Sequence, residues 1–193
     1  MLSPSVTTLL LDARAGSEEA LNRLFEQCGE RLLSLIRLRM GPRLRARMES
    51  SDLLNATLLR AFRSFDSLDA GNTASLMAWL ARVAESEIRD QADYLKAQRR
   101  DAGREVALDT GAGELAAQLR SQTSRLVLSE ARLRLERAIA RLPEEYREIV
   151  LLRHYEERSY RDIGKRMGRS PDACRMLMAR AMTALTLQMR ESD

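Results

Sequence analysis

Aromatic residues are scarce, at one Trp, four Tyr and three Phe in 193 residues. That argues against a β-sandwich or barrel, whose strands draw on aromatic and β-branched side chains. The two cysteines, Cys28 and Cys174, are far apart and supply neither a disulfide framework nor, alone, a four-ligand zinc site. Reduced, buried thiols in a cytosolic protein are the expectation. With one histidine, His154, a His-based metal site or catalytic triad is not expected. Nine Gly and four Pro are too few for collagen-like or linker-like chains. No apolar run approaches the roughly 20 residues that span a bilayer, and Met1–Leu11 lacks the basic region of a secretory signal. A soluble, cytoplasmic protein with no membrane partner is expected. No Gly-rich phosphate loop, metal cluster or nucleophile constellation appears, so no enzyme, metal or cofactor is expected.

Strong helix formers fill the chain instead: Leu, Ala, Arg and Glu dominate. A 45% hydrophobic fraction at a net charge of +4 is globular, not disordered. The length suits one domain or two small ones. Ser17 is a fair N-cap, with Glu18 and Glu19 on the helix dipole. Leu21, Leu24, Phe25, Cys28, Leu32, Leu35 and Ile36 then recur at helical steps until Gly41-Pro42. A second helix is expected from Ser51-Asp52, with Leu53, Leu54, Thr57, Leu58, Ala61, Phe62 and Phe65 on one face. Residues 66–73 read as a loop. A third helix is expected over 73–98, facing inward through Leu76, Trp79, Leu80, Val83, Ala84, Ile88 and Leu95. Between Arg99 and Ser124 the pattern weakens around Gly103, Gly111 and Gly113. Further helical signals follow at about 125–142, 143–156, 159–168 and 170–190. The expected fold is all-α, with two small helical domains, 1–100 and 125–193, joined by a flexible linker at 101–124.

Ser159–Leu185 carries the most information. Ser159 and Asp162 resemble a capping box, and Tyr160, Ile163 and Met167 share a face. Gly168 provides a left-handed stop. Ser170 caps a new helix, Pro171 takes its first position and Asp172 complements its dipole. Two short helices around a tight turn make a helix-turn-helix. In the second helix Cys174, Met178, Ala181 and Leu185 point inward. Arg175, Met176, Ala179 and Arg180 are displaced from that stripe. Residues 161–190 hold seven basic and two acidic side chains, the electrostatic footprint of a nucleic-acid-binding face.

The stretch from Leu142-Pro143-Glu144 through Arg147, Leu151-Leu152-Arg153, Ser159-Tyr160, Ile163-Gly164, Met167-Gly168 and Arg180-Ala181 resembles region 4 of extracytoplasmic-function (ECF) sigma factors. Residues 51–62, SDLLNATLLRAF, resemble the region 2 helix of that family that binds the β′ clamp helices of RNA polymerase. Phe65, the loop after it, Trp79–Ala84 and Asp90 resemble the part that melts and reads the −10 element. The chain departs from the family at Asn55-Ala56, where Gln-Glu is common, at Ser86, where Asn is common, and at Asp93, where a basic residue is common.

This resemblance implies an ECF-type sigma factor that binds core polymerase, through the β′ clamp helices and the β flap, and promoter DNA. An anti-sigma factor is a further possible partner. Arg169, Ser170, Asp172, Ala173, Arg175, Met176 and Arg180 are expected at the −35 duplex. Asp69, Asn72, Arg82, Lys96, Arg99 and Arg100 are expected at the −10 region, with Asp69 and Asn72 placed to bond a flipped base. Asp52, Leu53, Asn55, Ala56 and Leu59 are expected at the polymerase. The cationic run Arg31–Met48 is a secondary DNA-proximal candidate. Two other readings fit the residues: a dimeric helix-turn-helix regulator, and a degenerate sigma-like module that occupies polymerase without opening DNA.

Overall fold

The computed structural model describes residues 8–9, 11–12, 15–64, 73–98 and 129–190. The chain divides into two compact units, Met1–Leu126 and Val127–Asp193. Every regular element among the described residues is helical. The expected linker, and the loop at 66–72, lie outside the described residues.

In the first unit α1 spans Glu18–Arg39. Ser17 caps it, its hydroxyl accepting from the Ala20 N–H at 3.2 Å. Leu24, Leu32, Leu35 and Ile36 form its buried stripe. Gly41-Pro42 ends α1 as expected, yet Pro42 also opens a one-turn helix, α2 (Pro42–Arg45). Its fixed φ and missing N–H suit the first helical position. Helix α3 (Ser50–Arg63) buries Leu53, Leu54, Thr57, Leu58 and Ala61. Thr57 stays paired in the core because its Oγ1 donates to the Leu53 carbonyl at 2.7 Å. Helix α4 (Thr73–Gln98) buries Leu76, Met77, Leu80 and Ala84. The helices α1, α3 and α4 pack pairwise. Trp79, expected in this core, is only half-buried, because Leu76, Met77 and Leu80 fill the interior side of its turn.

Arg60 ties α3 to α4 from outside. It reaches Asp90 at 2.6 Å and Glu87 at 3.3 Å. Hydrogen bonding to Asp90 is the largest influence and raises its pKa; burial opposes this, and the Glu87 hydrogen bond adds to the rise.

In the second unit α5 (Glu130–Arg141) is capped by Ser129, whose hydroxyl accepts from the Arg132 N–H at 3.3 Å. Helix α6 (Glu144–Val150) runs into a π-helical turn, Leu151–Tyr155. The periodicity suggests one helix over 143–156. The wider turn adjusts the register so that Leu151, Leu152 and Tyr155 all remain buried. After it, Glu157 takes a left-handed φ of 55°. The buried Glu156 carboxylate accepts from Arg158 Nε at 2.6 Å, as a buried charge requires. Helices α7 (Tyr160–Met167) and α8 (Pro171–Arg190) complete the unit. Helix α8 packs on α5, α6 and α7. Cys28 and Cys174 are both buried, and neither forms a disulfide.

Candidate nucleic-acid interface

The helix-turn-helix is built by local chemistry. The Ser159 hydroxyl accepts from the Asp162 N–H at 3.2 Å and donates to Asp162 Oδ2 at 2.6 Å. The Asp side chain thus meets the capping hydroxyl itself, whereas a longer Glu would reach back to the backbone. Gly168 ends α7 in the left-handed region, at φ 65°. The Arg169 N–H returns to the Gly164 carbonyl at 2.9 Å. Ser170 then caps α8, accepting from the Ala173 N–H at 3.1 Å.

Helix α8 separates into two faces. Cys174, Leu177, Met178, Ala181 and Leu185 are buried. Arg175, Met176, Ala179 and Arg180 are exposed. Met176 is 60% exposed, a value that places an unbranched, polarisable side chain at the surface and not in the core. Leu177 belongs to the core too, beside the stripe of Cys174, Met178, Ala181 and Leu185. Its signal is the i+3 step from Cys174 and the i+4 step to Ala181.

Three arginines at the turn and the start of α8 are held. Arg169 meets Glu145 of α6 at 2.6 Å, and Arg166 meets Glu148 at 3.3 Å. These pairs, one helical step apart on α6, fasten the turn between α7 and α8. Arg175 pairs with Asp172 and lies over the Tyr160 ring. Of the expected contact residues, Arg169, Ser170, Asp172, Arg175, Met176 and Arg180 are exposed together, and Ala173 is half-buried between them. Ser170 and Asp172 are engaged in capping the helix and pairing Arg175.

In the first unit Asp52, Asn55, Ala56 and Leu59 fall at steps of three and four along α3, opposite its buried face. Leu53 does not join them. It is fully buried, since it stands about 100° around the helix from Asp52, and it cannot touch a partner. Arg82 and Lys96 share one exposed face of α4. Arg89, seven residues after Arg82, lies there as well; the seven-residue step, about two helical turns, is its sequence signal. Lys96 meets Asp93 at 2.8 Å. The Lys96 hydrogen bond, foremost, lowers the Asp93 pKa. Asp69, Asn72, Arg99 and Arg100 lie outside the described residues.

The cationic run at 31–48 divides. Arg39 meets Glu85 of α4 at 3.6 Å, and Arg45 donates to the Arg37 carbonyl at 2.5 Å. Arg43 and Arg47 instead reach a groove of about 450 Å³ that they share with Lys96, above Leu44 and Leu95. Among the described residues, no group of three or more His, Cys, Asp or Glu is placed to hold a metal ion. None of their helices is long and apolar enough to cross a membrane.

Comparison with known proteins gives this arrangement its context. A family model of sigma-70 region 2 matches residues 24–101, and one of sigma-70 region 4 matches residues 132–185. The ECF RNA polymerase sigma factor BldN of Streptomyces coelicolor is 28% identical over 191 residues. The chain is an ECF-type member of the sigma-70 family. The BldN alignment covers 95% of this chain and 65% of BldN, so the chain spans about two-thirds of that relative's length. A solved structure of CnrH in complex with the cytosolic domain of CnrY matches at a TM-score of 0.52 and 18% identity, over 98% of this chain and 100% of CnrH. It shares the fold. In sigma-70 terms, α1, α3, α4 and the groove fall in region 2, and α6 to α8 fall largely in region 4.

Proposed function

We propose that this chain acts as a sigma factor: it binds core RNA polymerase and directs initiation at a specific class of promoter. The observation that carries this reading is the split of α8, whose capped start presents Arg175, Met176 and Arg180 outward while Cys174, Leu177 and Met178 anchor it. A rigid helix with basic side chains near its N-terminus suits the major groove. Region 4 would read the −35 duplex in this way and also meet the β flap.

Region 2 would hold the polymerase β′ clamp helices along the Asp52, Asn55, Ala56 and Leu59 stripe. Its α4 face, with Arg82 and Lys96, would track the −10 strand, and the loop carrying Asp69 and Asn72 would accept the unstacked base. Strand opening would be driven by binding free energy, and the polymerase would perform the chemistry. Domain limits of 1–100 and 125–193, with a linker at 101–124, fit this division of labour. An anti-sigma protein is a further partner in this reading, which the similarly folded CnrH supports, having been solved with the cytosolic domain of CnrY.

Run-off transcription with purified core polymerase on pooled genomic promoter fragments tests the reading. Specific initiation that needs the chain is expected. Polymerase binding without initiation would replace it with a sigma-like module that does not open DNA. Duplex binding without polymerase binding would replace it with an independent helix-turn-helix regulator.

A further inference from the structure

One aromatic ring in region 4 is shared by two arginines from different elements. The Arg175 guanidinium lies 5.4 Å from the Tyr160 ring centroid, and that of Arg153 lies 5.2 Å from it. Arg153 belongs to the π-helical turn, Tyr160 opens α7 and Arg175 lies in α8. Arg153 is itself anchored, since its Nη1 donates to the Arg158 carbonyl at 3.1 Å. Arg158 in turn donates to the fully buried Glu156 carboxylate at 2.6 Å. A continuous set of contacts therefore runs from a buried charge, through three arginines and one ring, to the exposed face of α8.

We infer that Tyr160 is a positioning residue for base readout: its ring holds Arg175 in its reading orientation, and the Arg153–Arg158–Glu156 set holds the ring. This rests on region 4 reading duplex DNA. An arginine earns sequence discrimination only when its planar fork meets a base edge in one geometry. A free Arg side chain loses much rotamer freedom in doing so, and pre-ordering removes that loss from the binding step. Asp172 alone is a poor holder. It is 87% exposed, so salt screens the pair, and its carboxylate repels the phosphates that approach. A ring attracts the guanidinium through its quadrupole and carries no charge to repel DNA. The π-helical turn gains a purpose in this scheme, since it carries Arg153, which lies over the ring. Both arginines meet the ring itself, so Phe should replace Tyr160 without loss.

The test uses holoenzyme on a promoter recovered from the run-off pool, together with its single-base-pair variants in the upstream duplex element. The base pair read by Arg175 is the one at which Arg175→Ala abolishes discrimination. There Tyr160→Leu should lower discrimination by about two- to fivefold, the range of an exposed cation–π contact, while Tyr160→Phe keeps it. In the Arg175→Ala background Tyr160→Leu should add nothing. A uniform loss over all promoter variants, or no change, overturns the proposal. A second readout needs no DNA. In the free chain, the Arg175 15Nε–H group should be ordered and ring-current shifted, and should become mobile with Tyr160→Leu but not with Tyr160→Phe. A mobile, unshifted Arg175 in the native chain overturns the positioning role even if transcription is normal. If the native chain initiates nowhere yet Arg175 is ordered by the ring, the sigma-factor reading fails while the stack stands.

Discussion

Gly164 lies so close to the Arg169 backbone that a Cβ there would sit 2.5 Å from the Arg169 carbonyl oxygen. Its own carbonyl receives the Arg169 N–H at 2.9 Å. The turn between α7 and α8 is thus closed by a hydrogen bond that brings two backbones together at a residue with no side chain. Gly168 serves the same turn for a different reason, its positive φ, with open space around it.

Gly164→Ala should therefore cost more than its small size suggests. The atom it strikes is backbone, so the turn must shift, and overpacking of this kind costs about 1–3 kcal/mol. Thermal unfolding should show the transition of region 4 lowered and that of region 2 unchanged. Polymerase binding through region 2 should survive while promoter discrimination falls. An unchanged region 4 transition would show that the turn relaxes freely.

Arg169 is committed twice, once to Glu145 at 2.6 Å and once, in the proposed function, to DNA. Both cannot be met by the same hydrogen-bond donors. An exposed pair of this kind is worth about 0–1 kcal/mol, so Glu145→Gln should leave stability nearly unchanged. It should raise affinity for promoter duplex by up to about fivefold and steepen the log–log salt dependence by about one counterion. Fluorescence anisotropy over a salt series measures both. Arg169→Ala in the same background should cancel the gain. Weaker binding by Glu145→Gln would mean that Glu145 orients Arg169 and does not compete for it.

The face of α3 allows a clean separation of stability from partner binding. Leu53 is fully buried, and Leu53→Ala should lower the stability of region 2 by about 2–5 kcal/mol, including the cavity it leaves. Asp52, its exposed neighbour, should accept Ala with a change within about 0.5 kcal/mol. In a core-polymerase binding assay Asp52→Ala should be the weaker binder at a temperature where both variants are folded. Equal binding of native chain and Asp52→Ala would move the polymerase contact off this stripe.

Much of this arrangement was legible in the residues because helices advertise themselves at short range. Ser17, Ser159 and Ser170 cap the helices expected of them, and α4 spans 73–98 as its periodicity predicts. What was not legible depends on neighbours distant in sequence. Leu53 falls both on the apolar stripe of its helix and within a binding motif, and the packing of α3 against α1 and α4 decides for the stripe. The π-helical turn has no periodic signature of its own, since one residue's worth of extra winding leaves apolar positions apolar. Pro42 was legible as a stop but not as a start, although both follow from the same ring. The pairing of Arg169 with Glu145 spans 24 positions and has no local sign.

Asp93 offers a pH test of the α4 face. Its pKa is lowered chiefly by the hydrogen bond from Lys96, with the charge of Lys96 and the more distant Arg89 adding to this. A carboxyl group whose folded pKa lies below its unfolded one contributes stability above the unfolded pKa. That contribution is lost as pH falls through the folded value. The window therefore lies in acid, below the usual aspartate range, and at neutral pH the carboxylate is ionised. Because Asp93 is exposed, the effect belongs in a titration curve and not in a melting curve. Carbonyl NMR of the Asp93 side chain should give a midpoint below that of an unpaired aspartate. Lys96→Met should move it upward. At neutral pH the same substitution should weaken single-stranded −10 DNA binding and leave Asp93 fully ionised. Arg89 lies on the same face, and Arg89→Met combined with Lys96→Met should flatten the salt dependence further. A midpoint that ignores Lys96→Met would show that the two side chains part in solution, leaving Lys96 free for phosphate in the native chain.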